Sequence, residues 1–454
     1  MAPPKPDTQS VVLILGGTTT VARALATYLL EGDEPRAQFV RLADRFSVNP
    51  PTTYIDKPFL ELLKDPAGRL EYRQVNLGNV ERHAELFTPP LERAGAETGW
   101  THFDLVFDLT GEMGFDKPEL LFITNTYQLA LSLATSASKL PPERQPSAYV
   151  RLQQPFYDMK SLAGAGHAES DKLKPDGVRG RWWHETLRGI AQIPHLNFGV
   201  VRSAAWYGPG VWDTEVVPRL VVGHVYSYLG EEMKFLYNAD LRINTVHAVD
   251  IAQALYLTGL WLAATPRDQA LKEAGAPLPF PFNPPPASAF SLNSHKRTSS
   301  FTDTWKTVKT VVPEGEQVTA PLFNVTDDED STQGSLAKAV AAVWGVNFGF
   351  LSSTVATLVQ QFAKTDFNEM VEDVNEKHVE AWSQMLAKSD PPIESTPISP
   401  FLDAHAFRKM AIHLDGSKAR RVLGYKPARP RVQVDELKTI AQGFQKDNIW
   451  PTLS

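Results

Sequence analysis

The sequence predicts a doubly wound α/β fold, with a mostly parallel sheet over residues 11–205 and a smaller, mostly helical C-terminal lobe. Three observations predict it. Short apolar runs rich in β-branched residues recur up to residue 202, as strands buried on both faces do. Segments of helical periodicity lie between them. The first run enters the first helix through a glycine turn, Gly16-Gly17.

The elements follow in order. The run 11–15 (VVLIL) is the first strand. Residues 20–30 (TVARALATYLL) carry apolar side chains at helical spacing, and Gly32 and Asp33 stop that helix. The second strand is 38–43, with Asp44 after it, and the third lies at 70–75. The fourth is 104–109 (DLVFDL), the fifth 148–152 (AYVRL) and the sixth 198–202 (FGVVR). Helices are expected at 80–87, 119–137 and 184–192. Residues 1–10 are polar and proline-rich and read as a flexible tail.

Residues 206–454 form the expected second lobe, although 240–265 is expected to return to the sheet domain. Six prolines within 275–295 mark an irregular insertion, placed at 275–320. A strand is expected at 321–325 (PLFNV), then helices at 335–345, 354–363, 366–389 and 433–445. The apolar stretch 339–358 is broken by Asn347, Gly349 and Ser352, so it reads as a buried helix pair or surface flap, not a membrane span.

Composition narrows the function. The 454 residues carry 52 acidic against 45 basic side chains, a net charge of −7, which argues against non-specific nucleic-acid binding. With no cysteine, disulfides, thiolate metal sites and cysteine nucleophiles are excluded. A soluble, cytoplasmic protein without a membrane partner is the expectation.

The first strand-to-helix turn is Gly16-Gly17-Thr18-Thr19-Thr20-Val21-Ala22. A dinucleotide site needs glycine at the bend, close backbone at the pyrophosphate and a small residue where helix meets strand. Gly16 and Ala22 meet the first and last needs. Thr19 stands at the middle position, where its side chain would hold the phosphate off. Asp44, 28 residues after Gly16, is placed to accept the ribose hydroxyls of NAD and to repel the 2′-phosphate of NADP. Arg45 beside it offers a cation that suits NADP. The cofactor is thus NAD or NADP, with NAD favoured.

Further motifs occur in order. They are Phe107-Asp108-Leu109-Thr110-Gly111, Asn125, Arg202 with Trp206-Tyr207-Gly208-Pro209-Gly210, the stretch from Asn244 through His247 to Asp250, Phe323-Asn324-Val325, and 415–427 (DGSKARRVLGYKP). With the first turn they resemble the extended short-chain dehydrogenase/reductases, the superfamily of nucleotide-sugar epimerases and dehydratases, over almost the whole chain. The resemblance implies a Rossmann-type domain with the nicotinamide half of the cofactor above the fourth strand. It adds Asn76, Leu77, Leu109, Thr110 and Gly111 to the cofactor set. It implies a small hydroxyl or carbonyl substrate between sheet and lobe near Trp206, Tyr207, Arg242 and Asn244, and a homodimer through two helices per subunit.

That chemistry needs a tyrosine followed four residues later by a lysine, whose cation lowers the phenol pKa. None of the twelve tyrosines has that spacing. The expected helix reads Gly180-Arg181-Trp182-Trp183-His184-Glu185 instead. Tyr157 and His184 are candidate recruited acid/base groups, with Arg181 a candidate cation for the ribose. The plain alternative is that Tyr157 and His184 only pack. No zincin, nucleophile elbow, P-loop or calcium-loop pattern is present, and no metal site is expected. Two readings compete: an NAD(P)-dependent oxidoreductase or epimerase with a non-standard site, and a redox-inactive descendant acting as isomerase, lyase, sensor or assembly subunit.

Overall fold

The computed structural model describes residues 10–282, 304–351 and 367–453, except 33, 404, 405 and 407. Asp33, the expected helix 354–363, the middle of the proline-rich insertion and nearly all of the tail lie outside the described residues.

The main sheet has eight strands. They are β1 (Ser10–Leu15), β2 (Ala37–Asp44), β3 (Leu70–Gln74), β4 (Leu105–Asp108), β5 (Ala148–Gln153), β6 (Phe198–Ser203), β7 (Gly275–Pro277) and β8 (Thr319–Val325). Their order is β7-β8-β6-β5-β4-β1-β2-β3. Neighbours are parallel except β7 against β8. The sheet therefore continues past residue 205: Val200 of β6 pairs with Leu322 of β8.

Six helices position the site: α1 (Thr20–Leu30), α2 (Leu129–Ser138), α3 (Gly177–Ala191), α4 (Val216–Leu229), α5 (Ala248–Ala264) and α6 (Gln333–Trp344). Alternation along each strand splits the core in two. Val12 and Ile14 face Val21 and Leu25 of α1 and Ile251 and Leu255 of α5. Leu13, Val106 and Val200 face Leu133 of α2 and Leu187 and Ile190 of α3.

Two helices differ from the sequence reading. The expected 119–137 helix changes bonding partway, with a widened i→i+5 stretch over Ile123–Gln128 before α2. The expected 184–192 helix starts earlier, at Gly177. Gly177 and Gly180 argue against helix by propensity. Packing overrides this, because a Cβ on Gly180 would stand 2.5 Å from the Phe156 carbonyl oxygen. Only glycine lets α3 approach so closely.

In the lobe, α4 and α6 pack with α7 (Phe367–Lys388) and α8 (Val434–Lys446) around Val217, Leu220, Val340, Trp382 and Phe444. His224 lies flat on Trp344, with ring centroids 3.9 Å apart, and its Nδ1 accepts from the Trp450 indole at 3.0 Å. The described ends of the insertion dock on α3. The Leu278, Val312 and Pro313 carbonyls receive the Arg188 guanidinium, and the Val312 N–H reaches Glu185. Among the described residues, no helix is long and apolar enough to cross a membrane.

Candidate functional site

The strand order reverses at β1, whose neighbours β2 and β4 lead in opposite directions along the sheet. In open α/β sheets the crevice beyond that point is where ligands bind. Gly16 sits there with φ +80°, and a Cβ on it would meet the Leu109 carbonyl carbon and oxygen at 3.0 Å. The two sides of the crevice touch at a residue that has to be glycine.

The turn is bonded largely to itself. The Gly16 and Gly17 N–H groups both donate to the Ala43 carbonyl at 3.0 Å. One Asp44 oxygen accepts the Thr18 N–H (3.0 Å) and Thr18 Oγ1 (2.6 Å), and the other accepts the Arg45 N–H (2.7 Å). Asp44 thus closes the turn as well as ending β2. Its second oxygen keeps acceptor capacity for a ribose hydroxyl. Thr19 caps α1: its hydroxyl donates to Gly16 O (3.0 Å) and accepts the Ala22 N–H (3.4 Å). That N-capping role is why threonine stands where the motif has glycine. Arg45 is exposed, its guanidinium over the Phe46 ring, and Val21 is buried in the core.

Sequence reasoning missed Arg23. It is buried in α1 and ion-paired with Asp56 at 2.6 Å. Its Nη2 and Thr20 Oγ1 both donate to the Gly210 carbonyl, so the loop after Tyr207 lies across the start of α1. Asn76 is exposed and takes the Gly78 N–H, while the buried Leu77 offers its carbonyl to His83.

Beyond β4 the polar side chains are paired with one another. Asp108 and Arg151 form a fully buried ion pair at 2.6 Å. Asp108 also holds the Thr110 N–H and hydroxyl, and Arg151 reaches the Thr110 carbonyl. Trp183, from α3, lies on Gly111 and donates to the Glu112 carbonyl at 2.9 Å.

Tyr157 and His184 do meet. The His184 Nε2 stands 2.9 Å from the Pro279 carbonyl, which only accepts, so that nitrogen carries the proton. Nδ1 is then the acceptor, and the Tyr157 hydroxyl donates to it at 3.0 Å. The residues are 1% and 3% exposed. Burial first, then the Arg188 and Arg202 cations, pulls the His184 pKa down to about 3. Burial also raises the Tyr157 pKa, against the Arg202 charge. The pair is a dry strut linking the segment after β5, helix α3 and the insertion. Arg181 is apart from it, half-buried, with Glu119 its charged neighbour.

The expected substrate residues are tied into the lobe. Trp206 and Tyr207 are buried, and the indole N–H and phenol oxygen have no partner. Arg242 pairs with Asp330 at 3.0 Å. Asn244 bridges Asp330 and the Leu414 N–H. Asn324, whose letters make a glycosylation sequon, is fully buried.

No protein-family model matches the sequence, and no curated protein matches it. Solved structures do align. UDP-glucose 4-epimerase from Thermotoga maritima matches 96% of this chain and 99% of its own, at 13% identity and TM-score 0.53. UDP-glucuronic acid 4-epimerase from Bacillus cereus, solved with NAD, covers the same shares at 11% identity and TM-score 0.54. The chain has the fold of the nucleotide-sugar epimerases and dehydratases. A dTDP-glucose 4,6-dehydratase from Streptomyces venezuelae, solved with NAD and TYD, adds 96% and 97% coverage at 14% identity and TM-score 0.54. At these identities the likeness is one of fold.

Within that extended dehydrogenase/reductase fold, the two halves of a dinucleotide fare differently. The adenosine half fits: the side-chain-free turn at Gly16-Gly17 and the free acceptor capacity of Asp44 suit it. At the end of β4, above which the resemblance implies the nicotinamide half, Trp183 packs on Gly111 beside the buried Asp108–Arg151 pair.

Proposed function

We propose that the crevice binds the adenosine-diphosphate half of NAD, or an adenine nucleotide of the same shape, and that the protein transfers no hydride. The observation that carries this reading is Trp183 lying on Gly111 at the end of β4. The family resemblance implies the nicotinamide half above that strand, and the Trp183 indole packs on Gly111 at its end. Asp44 favours NAD over NADP because a carboxylate repels a 2′-phosphate. A bound nicotinamide would supply a hydride acceptor. The expected proton-moving groups of this chain, Tyr157 and His184, are sealed in the strut, so no redox step is derived.

Calorimetric titration with NAD, NADH, NADP, NADPH and ADP-ribose tests the reading. Equal affinity for NAD and ADP-ribose supports it, since the nicotinamide then adds nothing. Tight binding of NADH over ADP-ribose, with turnover of any carbonyl substrate, overturns it.

The second reading, an oxidoreductase or epimerase acting on a small substrate between sheet and lobe, is favoured by one observation, the Tyr157–His184 hydrogen bond. It requires the pair to open to solvent. As to assembly, α3 is buried along most of its length, and Trp182 on it packs against Phe282 and the nearby Trp305 of the insertion. A homodimer through two helices would use a surface other than α3.

A further inference from the structure

Arg179 lies in the first turn of α3, against the segments after β4 and β5. It is 6% exposed. Its Nη1 donates to the Met113 carbonyl at 2.8 Å. Its Nε and Nη2 are buried and have no partner. Those two nitrogens share one edge of the guanidinium, with parallel N–H bonds. This is the edge that takes a carboxylate or phosphate through two hydrogen bonds.

Other buried arginines with an orphaned nitrogen differ. Arg23 and Arg151 leave only Nε without a partner, and Arg202 only Nη2. Among the described arginines that are buried, Arg179 alone has both Nε and Nη2 buried without a partner. A buried charged donor pair without acceptors carries its full desolvation penalty.

The surroundings are those of a receptor. The guanidinium carbon stands 3.7 Å from the Phe156 ring centroid and 5.3 Å from that of Phe115. These rings cover the cation without supplying an acceptor. The adjacent carboxylate, Asp176, is committed to Arg408 by bonds of 2.5 and 2.7 Å. Arg408 also lies over Phe115, at 5.0 Å, and its side chain is 37% exposed. Glu215 and Asp403 are near enough to act on Arg179 through space. Neither bonds its free edge, as the orphaned nitrogens show.

We propose that Arg179 is the anchor of an oxyanion site, binding a carboxylate or phosphate group of a small molecule through its Nε/Nη2 edge, with Arg408 as the outer cation. The proposal does not depend on nucleotide binding at the Gly16 turn.

The test is thermal unfolding of the full chain in sodium phosphate, in sodium malonate and in sodium chloride of equal ionic strength. One anion is expected to raise the Tm by about 2–4 °C over chloride at saturation. Phosphate alone acting identifies a phosphoryl ligand, and malonate alone a carboxylate. Arg179→Met, which keeps the stacking and removes the charge, is expected to hold or raise the Tm without anion and to lose the response. Arg179→Lys keeps the charge without the fork and is expected to need at least about tenfold more anion. Both variants leave the Gly16 turn intact, so a phosphate response that persisted in Arg179→Met would come from elsewhere than Arg179. The proposal is overturned if neither anion exceeds chloride, or if Arg179→Met responds as the parent does.

Discussion

The indole of Trp183 lies so close to Gly111 that a Cβ there would stand 2.4 Å from the ring, at a backbone φ of +146°. Both facts exclude a side chain at residue 111. Gly111→Ala is expected to destabilise the fold by about 2–4 kcal/mol, from overpacking and backbone strain together. Urea unfolding of the variant checks this. An unchanged midpoint would mean that the indole moves aside freely and that the crevice is open.

Asp44 serves the turn before any ligand arrives. Asp44→Ala leaves the buried Thr18 N–H and hydroxyl without their acceptor, at a cost of about 1–3 kcal/mol. NAD affinity is expected to fall about tenfold or more, with NADP affinity changed less. Calorimetry on the folded variant measures both. Equal losses for the two cofactors would contradict a discriminating carboxylate.

Arg188 holds the insertion against α3 through three carbonyls while pairing with Glu185 at 2.9 Å. Arg188→Ala strands a buried carboxylate and is expected to cost about 3–5 kcal/mol. Urea unfolding of the variant against the parent measures that cost, and an unchanged midpoint would contradict it.

Stability should depend on pH in two opposed ways. Burial lowers His184 to about 3 and His224 to about 4. Unfolded histidine titrates near 6.5, so the unfolded chain takes up those protons first. The stability these two groups contribute is complete above about pH 6.5 and is lost as the pH falls through their unfolded range. Burial raises Glu185 to about 7 and Asp327 to about 8. Their contribution is present in acid and is lost as the pH rises through those values. The optimum is therefore expected below neutrality, with a decline between about pH 6.5 and 8. Asp327→Asn should flatten that decline in urea midpoints taken at pH 6, 7 and 8. A decline of the same slope in the variant would remove Asp327 as its source.

Much of the fold was legible because strand runs and helical periods are local. The span 11–15 appears as Ser10–Leu15, 20–30 as Thr20–Leu30 and 198–202 as Phe198–Ser203. The glycine pattern located the turn at Gly16, and the spacing to Asp44 placed the carboxylate at the end of β2. The start of α3 was not legible, because Gly180 is dictated by the Phe156 carbonyl, far away in sequence. Nor was the capping role of Thr19, which looks like a defect until its hydroxyl is seen on Gly16 and Ala22. Arg179 and Arg23 carry no motif. Their importance comes from burial and from partners met or unmet, and spacing records neither.

The sequence by itself determined a parallel doubly wound sheet, a nucleotide-type turn, an acidic residue at the second strand end and the absence of a tyrosine–lysine relay. Each of these depends on residues close in the chain or on simple presence. Tertiary structure alone decided that Tyr157 and His184 join as a dry strut, that Trp183 packs on Gly111 and that the described ends of the insertion dock on α3. It also decided that Arg179 keeps an empty fork. These depend on which distant segments exclude water from one another, and burial turns the same side chains from solvated groups into struts, plugs and unsatisfied donors.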